Sequence, residues 1–492
     1  MSNPYQPDTD LGRPERQVVL AYMGTAGVLL LLMMAFGLVM RLAQGDLIGV
    51  APDWFYRILT LHGTGMVGLA GLAGAGIMWY FLRQHVHLSL GIAWTNLALF
   101  LIGVVLILGG ILLGGYAGGW TFLYPLPAKP MGMWSTTGTA SFLTGLLLIG
   151  VGFLLLHLDT ARGIVQRYGG LGKGLGWPQL FGHNDGNAPP APVVASTMVL
   201  IVNILGLVSG AAIVVMSLIN LYFPAFEVDP LLAKNMIYFF GHVFINATIY
   251  MGVIAVYALL PRYTGRPWKS STKAFLGAWT ASTVMVIIVY PHHILMDFAQ
   301  PQWMHVMGQI ISYTSGLPVL AVTAYGAITI LYRSGIKWDL ASGLLTLSAF
   351  GWAAGTIPAM VDATIVVNEV MHNTLWVPGH FHFYLLLGVM AMALGFMVWM
   401  ARTYGNGGGS ALDAPAFWLY ALGGVGFVGM FLMGGREGAP RRFAEYLPEW
   451  VPYAQWGALF AALVLVATTV LVGRFFGQFL AGRREAPDAG VA

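Results

Sequence analysis

Apolar stretches recur along the chain at one characteristic length. A helix of about 20 residues crosses the hydrocarbon core of a bilayer. Runs of that order fall near 18–40, 59–82, 94–114, 140–160, 195–223, 235–261, 275–296, 303–332, 340–364, 374–401, 415–435 and 454–480. The pattern predicts an all-α polytopic membrane protein of twelve spans, with one catalytic membrane domain over 18–480. A polar head (1–17) precedes it and a short tail (481–492) follows, both expected in the cytoplasm. The head, "MSNPYQPDTDLGRPERQ", reads as an inner segment rather than a cleavable signal. The Gly- and Pro-rich connector at roughly 160–193 predicts irregular structure. An even number of spans leaves both termini on one side, and Lys and Arg choose it. With the N-terminus inside, inner segments hold 16 of the 23 basic residues, so the expected orientation is N-in, C-in.

Composition sharpens this picture. Of 492 residues 58% are hydrophobic and 9% charged, against about 25% charged in soluble domains. The lipid bilayer is therefore the first expected partner. There is no cysteine. That excludes disulfides, Cys-ligated zinc, iron–sulfur clusters, covalent c-type haem and a thiolate copper centre within these residues. The net charge of +4 is small and spread over loops, so no basic face for nucleic acid is expected.

The 12 histidines are unevenly placed. His85, His87, His157 and His183 fall in or beside inner segments. The other eight, His62, His242, His292, His293, His305, His372, His380 and His382, map to the outer third. Each pair alone is ordinarily a structural feature, and His62 alone would be a satisfied core histidine. The joint pattern on four spans at one depth instead suggests a buried redox or metal centre. Residues two apart on a helix point about 200° apart, so His380 and His382 of "PGHFHF" can serve two groups on opposite sides of one helix. Adjacent His292 and His293 differ by about 100° and can turn toward one ion that His242 completes. Neutral imidazole suits copper, iron and zinc. His305 and His372 read as supporting groups. Arg441 and Arg442 of "GAPRRFAEY" either anchor the last span or hold carboxylates with their bidentate forks.

In order, "LHGTGMVG", "GHVFIN", "PHHILMDFAQP", "VMHNTLWVPGHFHF" and "GAPRRFAEY" resemble the motifs of subunit I of the haem-copper oxidoreductase superfamily, closest to its B-type oxidases. They cover positions 61 to 446. The resemblance implies the twelve-helix subunit I fold. It implies His62 and His382 as axial ligands of a low-spin haem, expected to be of b type. His380 would be the proximal ligand of a high-spin haem of b, a or o type. His242, His292 and His293 would ligate one non-haem metal, copper or iron. Arg441 and Arg442 would hold haem propionates, with His372 and Asn373 lining the region. The chain would be a multi-pass respiratory subunit in a bacterial or archaeal cytoplasmic membrane.

Departures from the family pattern carry information about the substrate. In A- and B-type oxidases a redox-active tyrosine stands four places after the first metal-binding histidine. In cytochrome-type nitric oxide reductases a glutamate stands there and ligates non-haem iron. Here it is Asn246, which cannot donate an electron but can offer a carbonyl oxygen or a hydrogen bond. The C-type alternative, a tyrosine before the histidine pair, is missing from "VMVIIV" at 284–289; Tyr290 lies too near the pair and Tyr250 one turn too deep. The usual Asp after span 2 and Lys in span 8 are absent. Tyr257 matches a B-type proton-path tyrosine, but Val319 and Val322 replace polar residues expected after Pro318; Ser312, Tyr313, Thr314 and Ser315 are substitutes. Glu369 is a further candidate for outer-side proton movement, whereas Asp297 reads as a loop cap.

These features predict a B-type-derived nitric oxide reductase using the gas NO; the alternative is a B-type terminal cytochrome c oxidase using O2. A twelve-helix proton-coupled transporter is a distant third, which a protein without a Soret band would revive. With no cysteine, electrons are expected from a small membrane-anchored redox subunit of cupredoxin or cytochrome type, fed by a soluble cytochrome c or cupredoxin.

Overall fold

Lipid offers backbone groups no hydrogen-bond partners, so each apolar run closes its own bonds as a helix. The computed structural model describes residues 3–6, 11–183, 186–405 and 407–484. Its spans are α1 (Arg13–Gln44), α2 (Pro52–Leu82), α3 (Leu90–Leu112), α4 (Thr136–Tyr168), α5 (Ala191–Tyr222), α6 (Pro230–Thr264), α7 (Lys273–Ile294), α8 (Gln302–Leu331), α9 (Leu340–Asp362), α10 (Trp376–Tyr404), α11 (Asp413–Arg436) and α12 (Val451–Arg484). All twelve expected spans are present, and the fold is all-helical among the described residues. The chain is a multi-pass membrane protein.

Most helices outrun their hydropathy signal. α1 begins at Arg13, inside the expected polar head, because Pro14 suits a first turn and the negative charge of Glu15 favours the positive end of the helix dipole. α4 continues eight residues past the expected 160, to Tyr168, where Gly169 takes φ 81° and stops it. The connector is thus shorter and less irregular than expected, with single helical turns at Leu171–Gly174 and Trp177–Leu180. Residues 485–492 of the expected tail lie outside the described residues.

Three helices form the interior. Of the most apolar stretch of α2, α6 and α10, 78%, 89% and 83% is buried, against at most 56% elsewhere. These three carry His62, His242, His380 and His382. Around them α3 packs on α4, α5 on α6, α9 on α10, α11 on α12, and α1 on both α2 and α12. The inner end is tied by charge: Arg402 pairs with Asp339 and Asp413, and Arg474 also pairs with Asp413. Tyr5 of the head donates to Asp339, docking that segment on the bundle.

Regular helix gives way where the histidines are. α7 ends in a 3-10 turn, Tyr290–Ile294, whose Pro291 has no N–H to continue the α pattern. α8 is interrupted at Gly316, ahead of Pro318. α10 turns into a π stretch, Phe383–Met390, just after His382. There the Tyr420 hydroxyl of α11 donates to the Leu386 carbonyl at 2.6 Å, satisfying a group the wider turn disturbs.

The α3–α4 seam rests on backbone contact. A Cβ on Gly103 would lie 2.6 Å from the Gly145 carbonyl oxygen, and one on Gly145 would lie 2.6 Å from that of Gly103. Close approach of this kind is how membrane helices gain packing without a hydrophobic driving force. Gly145→Leu should separate the pair at a cost of roughly 1–3 kcal/mol, read as a lower Tm in detergent. Gly150→Ala on the same helix, with nothing within 4 Å of the added Cβ, should leave Tm unchanged.

Candidate redox centre

The neighbouring histidines lie on the 3-10 turn that ends α7, and both rings reach α6: their centroids are 4.8 Å (His292) and 5.2 Å (His293) from that of His242. The ligand nitrogens of His242, His292 and His293 lie within 4.8 Å of one another, and His242 Nδ1 is 3.1 Å from His293 Nε2. α8 seats directly on the turn: a Cβ on Gly308 would come 2.9 Å from the His292 backbone nitrogen. One turn on, Ser312 Oγ lies 2.8 Å from His292 Nδ1. With that nitrogen occupied, Nε2 is left for the cluster. Asn246 does not enter the triad. Its Nδ2 donates to the His242 carbonyl at 2.9 Å and lies 3.2 Å from His242 Nε2. The asparagine thus grips the nitrogen of His242 other than the one turned to His293. Three convergent imidazoles fit copper or iron alike.

The second histidine set lies between α2 and α10. His62 and His382 present near-parallel rings, 17° apart with centroids 6.4 Å apart. Nδ1 of His62 is held 2.7 Å from the Met33 carbonyl and Nδ1 of His382 2.6 Å from that of Pro378. Donation to those carbonyls fixes the tautomer that leaves both Nε2 lone pairs free. Two such imidazoles fit the axial positions of one haem iron. Phe431 stacks on His382, and the Arg41 guanidinium sits 4.7 Å from the Phe431 ring centroid. His380 contacts a different set of groups, its Nδ1 lying 3.2 Å from Asp362 Oδ2. The two histidines of "HFH" therefore serve different surroundings, as their spacing predicts.

Arg441 and Arg442 are held against the segment after α9. Leu375 N–H donates to Ala439 O and Arg441 N–H to Asn373 O, with an antiparallel bridge between Thr374 and Pro440. The Arg441 side chain reaches Asn373 Oδ1 at 3.5 Å and that of Arg442 reaches Thr121 Oγ1 at 3.1 Å. Neither pairs with a carboxylate among the described residues. Burial, then repulsion from Arg442, pulls the Arg441 guanidinium down to about 10. A half-buried and an exposed guanidinium side by side without acids fit an external anion, and haem propionates have the right chemistry.

Other expected site residues fall outside this cluster. Tyr257 is buried toward the inner half, its hydroxyl 2.5 Å from Thr323 Oγ1. Of the polar run in α8, Ser312 serves His292, Tyr313 meets Thr364, and Thr314 bonds back to its own helix. They do not continue from Tyr257. Glu369 is exposed, while its neighbour Asn368 is buried. His372 Nδ1 lies 3.0 Å from Asn368 Oδ1. His305 Nε2 meets the Asp297 carbonyl, and Asp297 pairs with Lys234, so both brace the loop after the triad. His157, buried between α4 and α5, meets the Phe153 carbonyl and Asn203, a structural role.

Three neighbours of the centre escaped the sequence reading: Arg41, Asp362 and Tyr238. Arg41 and Asp362 are charged residues at outer span ends, a signal that position alone could have raised. Tyr238, one turn before His242, lies parallel to His293, with ring centroids 5.9 Å apart and planes at 13°. No spacing rule points to it. Finally, an apolar cavity among α1–α6 is bounded by Leu61, Phe100, Trp120, Leu146, Phe240 and Phe244 and reaches Gly241, with no triad histidine in its lining.

Twelve spans enclosing a two-imidazole and a three-imidazole set at one end define a class, the haem- and metal-bearing membrane oxidoreductases. Comparison with known proteins makes the assignment specific: residues 17–464 match the family model "Cytochrome C and Quinol oxidase polypeptide I", and the chain belongs to that family. Cytochrome c oxidase polypeptide 1 of Halobacterium salinarum is 25% identical over 86% of this chain and 70% of its own length. Cytochrome c oxidase subunit 1 of Thermus thermophilus is 22% identical over 88% of this chain and 77% of its own. A solved structure, described as a heme-copper terminal oxidase dimer, aligns with TM-score 0.73 at 20% identity, covering 98% of this chain and 86% of that one. The chain is thus an oxidoreductase of the haem-copper oxidase subunit I family.

The loop behind the triad gives a pH test. Burial raises the Asp297 carboxyl, but hydrogen bonds from Lys234 and the Ala299 N–H, with the Lys234 charge, bring it net below its ordinary value. A depressed folded-state value stabilises above the unfolded pKa and is lost as pH falls through the folded one. Asp297→Asn should therefore cost roughly 1 kcal/mol at pH 7. The difference should persist down to about pH 4 and shrink below it, as thermal unfolding across pH will show.

Proposed function

We propose that this chain is the catalytic subunit of a nitric oxide reductase, 2 NO + 2 e⁻ + 2 H⁺ → N2O + H2O. The observation that carries the reading is the contact of Asn246 with His242: an amide occupies the place where the oxygen-reducing members of the superfamily put a phenol. An amide holds no electron or hydrogen atom to give, which suits a two-electron reaction and not the cleavage of O2. His242, His292 and His293 would hold the second metal, copper or iron. His380 would hold the high-spin haem (b, a or o), and His62 with His382 the low-spin b haem. When bound, the haem and the second metal would supply binding and electrons for NO.

The chain's own residues do the rest. Ser312 orients His292 by its Nδ1. Asn246 stands at His242 Nε2; with Nδ1 on the metal that nitrogen would carry the proton, and the Asn246 amide would turn its Oδ1 to accept it. Arg441, Arg442 and Asn373 would hold propionates, with His372 beside them. The apolar cavity at Gly241 favours entry of a small uncharged gas over water. Protons would reach the site past Tyr257 and Thr323 from the inner side, with Glu369 at the outer rim open to solvent. Electrons would come from a membrane-anchored cupredoxin or cytochrome subunit supplied by a soluble cytochrome c or cupredoxin, in a bacterial or archaeal cytoplasmic membrane.

Tyr238 favours a second reading. Its ring, parallel to His293, stands where a displaced tyrosine could serve a terminal cytochrome c oxidase. Turnover by the purified complex under each gas separates the two. The nitric oxide reading expects N2O formation that survives Tyr238→Phe. Oxygen consumption at ordinary oxidase rates without N2O, abolished by Tyr238→Phe, would overturn it.

The donor side yields its own prediction. The chain purified without its redox partner should show haem bands yet oxidise soluble donors poorly. Equal rates with and without the partner would count against the proposed entry route.

A further inference from the structure

The three imidazoles assigned to haem differ in what faces their Nδ1. For His62 and His382 it is a neutral backbone carbonyl, of Met33 and Pro378. For His380 it is a carboxylate, with Asp362 Oδ2 at 3.2 Å. His380 Nδ1 is buried, has no other hydrogen-bond partner among the described residues, and stands off the line of an ideal N–H···O contact with that oxygen. A ring rotation would complete it.

Asp362 is itself built in. It closes α9 at the edge of the membrane span, is 7% exposed, and pairs with no Lys or Arg among the described residues. Burying a carboxylate is costly unless hydrogen bonds receive it. Here Asn368 Nδ2 donates to Asp362 Oδ1 at 3.2 Å and to the Asp362 carbonyl at 2.6 Å. Those two acceptors fix which way the Asn368 amide points. Its Oδ1 must then accept, and it lies 3.0 Å from His372 Nδ1. A single chain of polar contacts therefore runs from His372 through Asn368 and Asp362 to His380.

We propose that Asp362 is a positioning residue that sets the redox potential of the high-spin haem by acting through His380. The proposal rests on His380 being that haem's proximal ligand. A neutral imidazole carries one N–H. With Nε2 on the iron the proton is on Nδ1, and the acceptor at hand is the Asp362 carboxylate. An anionic acceptor makes the imidazole a stronger electron donor than a carbonyl does. It favours the oxidised iron, and so lowers the potential of this haem while leaving the low-spin haem alone. Asn368 holds the carboxylate in place from its other oxygen.

The experiment uses the full complex with Asp362→Asn, Asp362→Glu and His380→Ala. Asp362→Asn should raise the midpoint of the high-spin haem by the equivalent of at least about tenfold in its reduction equilibrium, or about 59 mV for one electron. Resonance Raman of the ferrous enzyme should show the iron–histidine stretch moving down, with the low-spin midpoint unchanged. Asp362→Glu keeps the charge and should restore most of both. Full haem content with an unmoved midpoint and stretch in Asp362→Asn overturns the proposal. Where Asn prevents assembly, a second charge-removing variant, Asp362→Ser, with full haem content and an unmoved stretch does the same. His380→Ala tests the underlying reading apart: loss of the high-spin haem upholds it, and retention of that haem with an unaltered spectrum sinks it. A silent Asp362→Asn beside a haem-depleted His380→Ala therefore defeats only the role of Asp362.

Discussion

The constraint on which this structure depends is the cost of a polar group inside a low-dielectric bilayer. Four of the six imidazoles at the centre meet it by setting one ring nitrogen against a polar partner: Met33 O for His62, Pro378 O for His382, Ser312 Oγ for His292 and the Asn246 amide for His242. The tie that satisfies one nitrogen also fixes the tautomer and aims the other. Stability and ligand geometry are thus served by the same bonds. It follows that helices bearing these residues cannot slide or rotate without orphaning a buried donor. That is consistent with α2, α6 and α10 being the most buried spans.

Helix geometry is used differently at the two histidine pairs. Neighbours diverge by about 100° on an α-helix and about 120° on a 3-10 turn, so His292 and His293 converge through their side chains, with rings 4.8 and 5.2 Å from that of His242. The 3-10 turn at Tyr290–Ile294, where Pro291 ends the α pattern, carries them, and Gly308 lets α8 support it from behind. On α10, by contrast, His380 and His382 sit in regular helix, where the 200° separation is wanted, and the π stretch starts only after them. The irregular backbone is tolerated because it is buried in protein and its loose carbonyl finds Tyr420.

The same physics explains what the sequence could and could not disclose. Span number was legible because hydropathy integrates over some 20 residues, while helix ends such as Tyr168 depend on caps beyond the membrane. The six histidines stood out because neutral rings at one depth on four spans are hard to explain otherwise. Asp362 and Arg41 were masked by their position at span ends, where a charge is ordinarily solvated. Tyr238 looked like one aromatic among many in "IYFFGH"; its relation to His293 exists only once α7 folds back on α6. Asn246 was visible as a departure, but its grip on the far nitrogen of His242 required the rotamer. Thr323 was overlooked beside the apolar Val319 and Val322, although it is the residue of α8 that meets Tyr257.

The substrate question reduces to where electrons and protons can be stored next to the triad. Splitting O2 in one event takes four electrons, and a site with two metals and a nearby phenol can gather them. Reducing two NO takes two. Around His242 the contacts are an amide and two imidazoles, none of them a redox store. Tyr250, a turn deeper, is packed among Trp279 and Trp352 and does not reach the histidines. Tyr238 is the phenol beside the triad, on its outer side, where it stacks on His293 rather than bonding to it. Stacking supplies contact but no covalent or hydrogen-bonded route for a hydrogen atom. On the function proposed above, such a centre suits a reaction whose electrons arrive through the metals alone, and an electron-donating His380 would add to that match by favouring the oxidised iron.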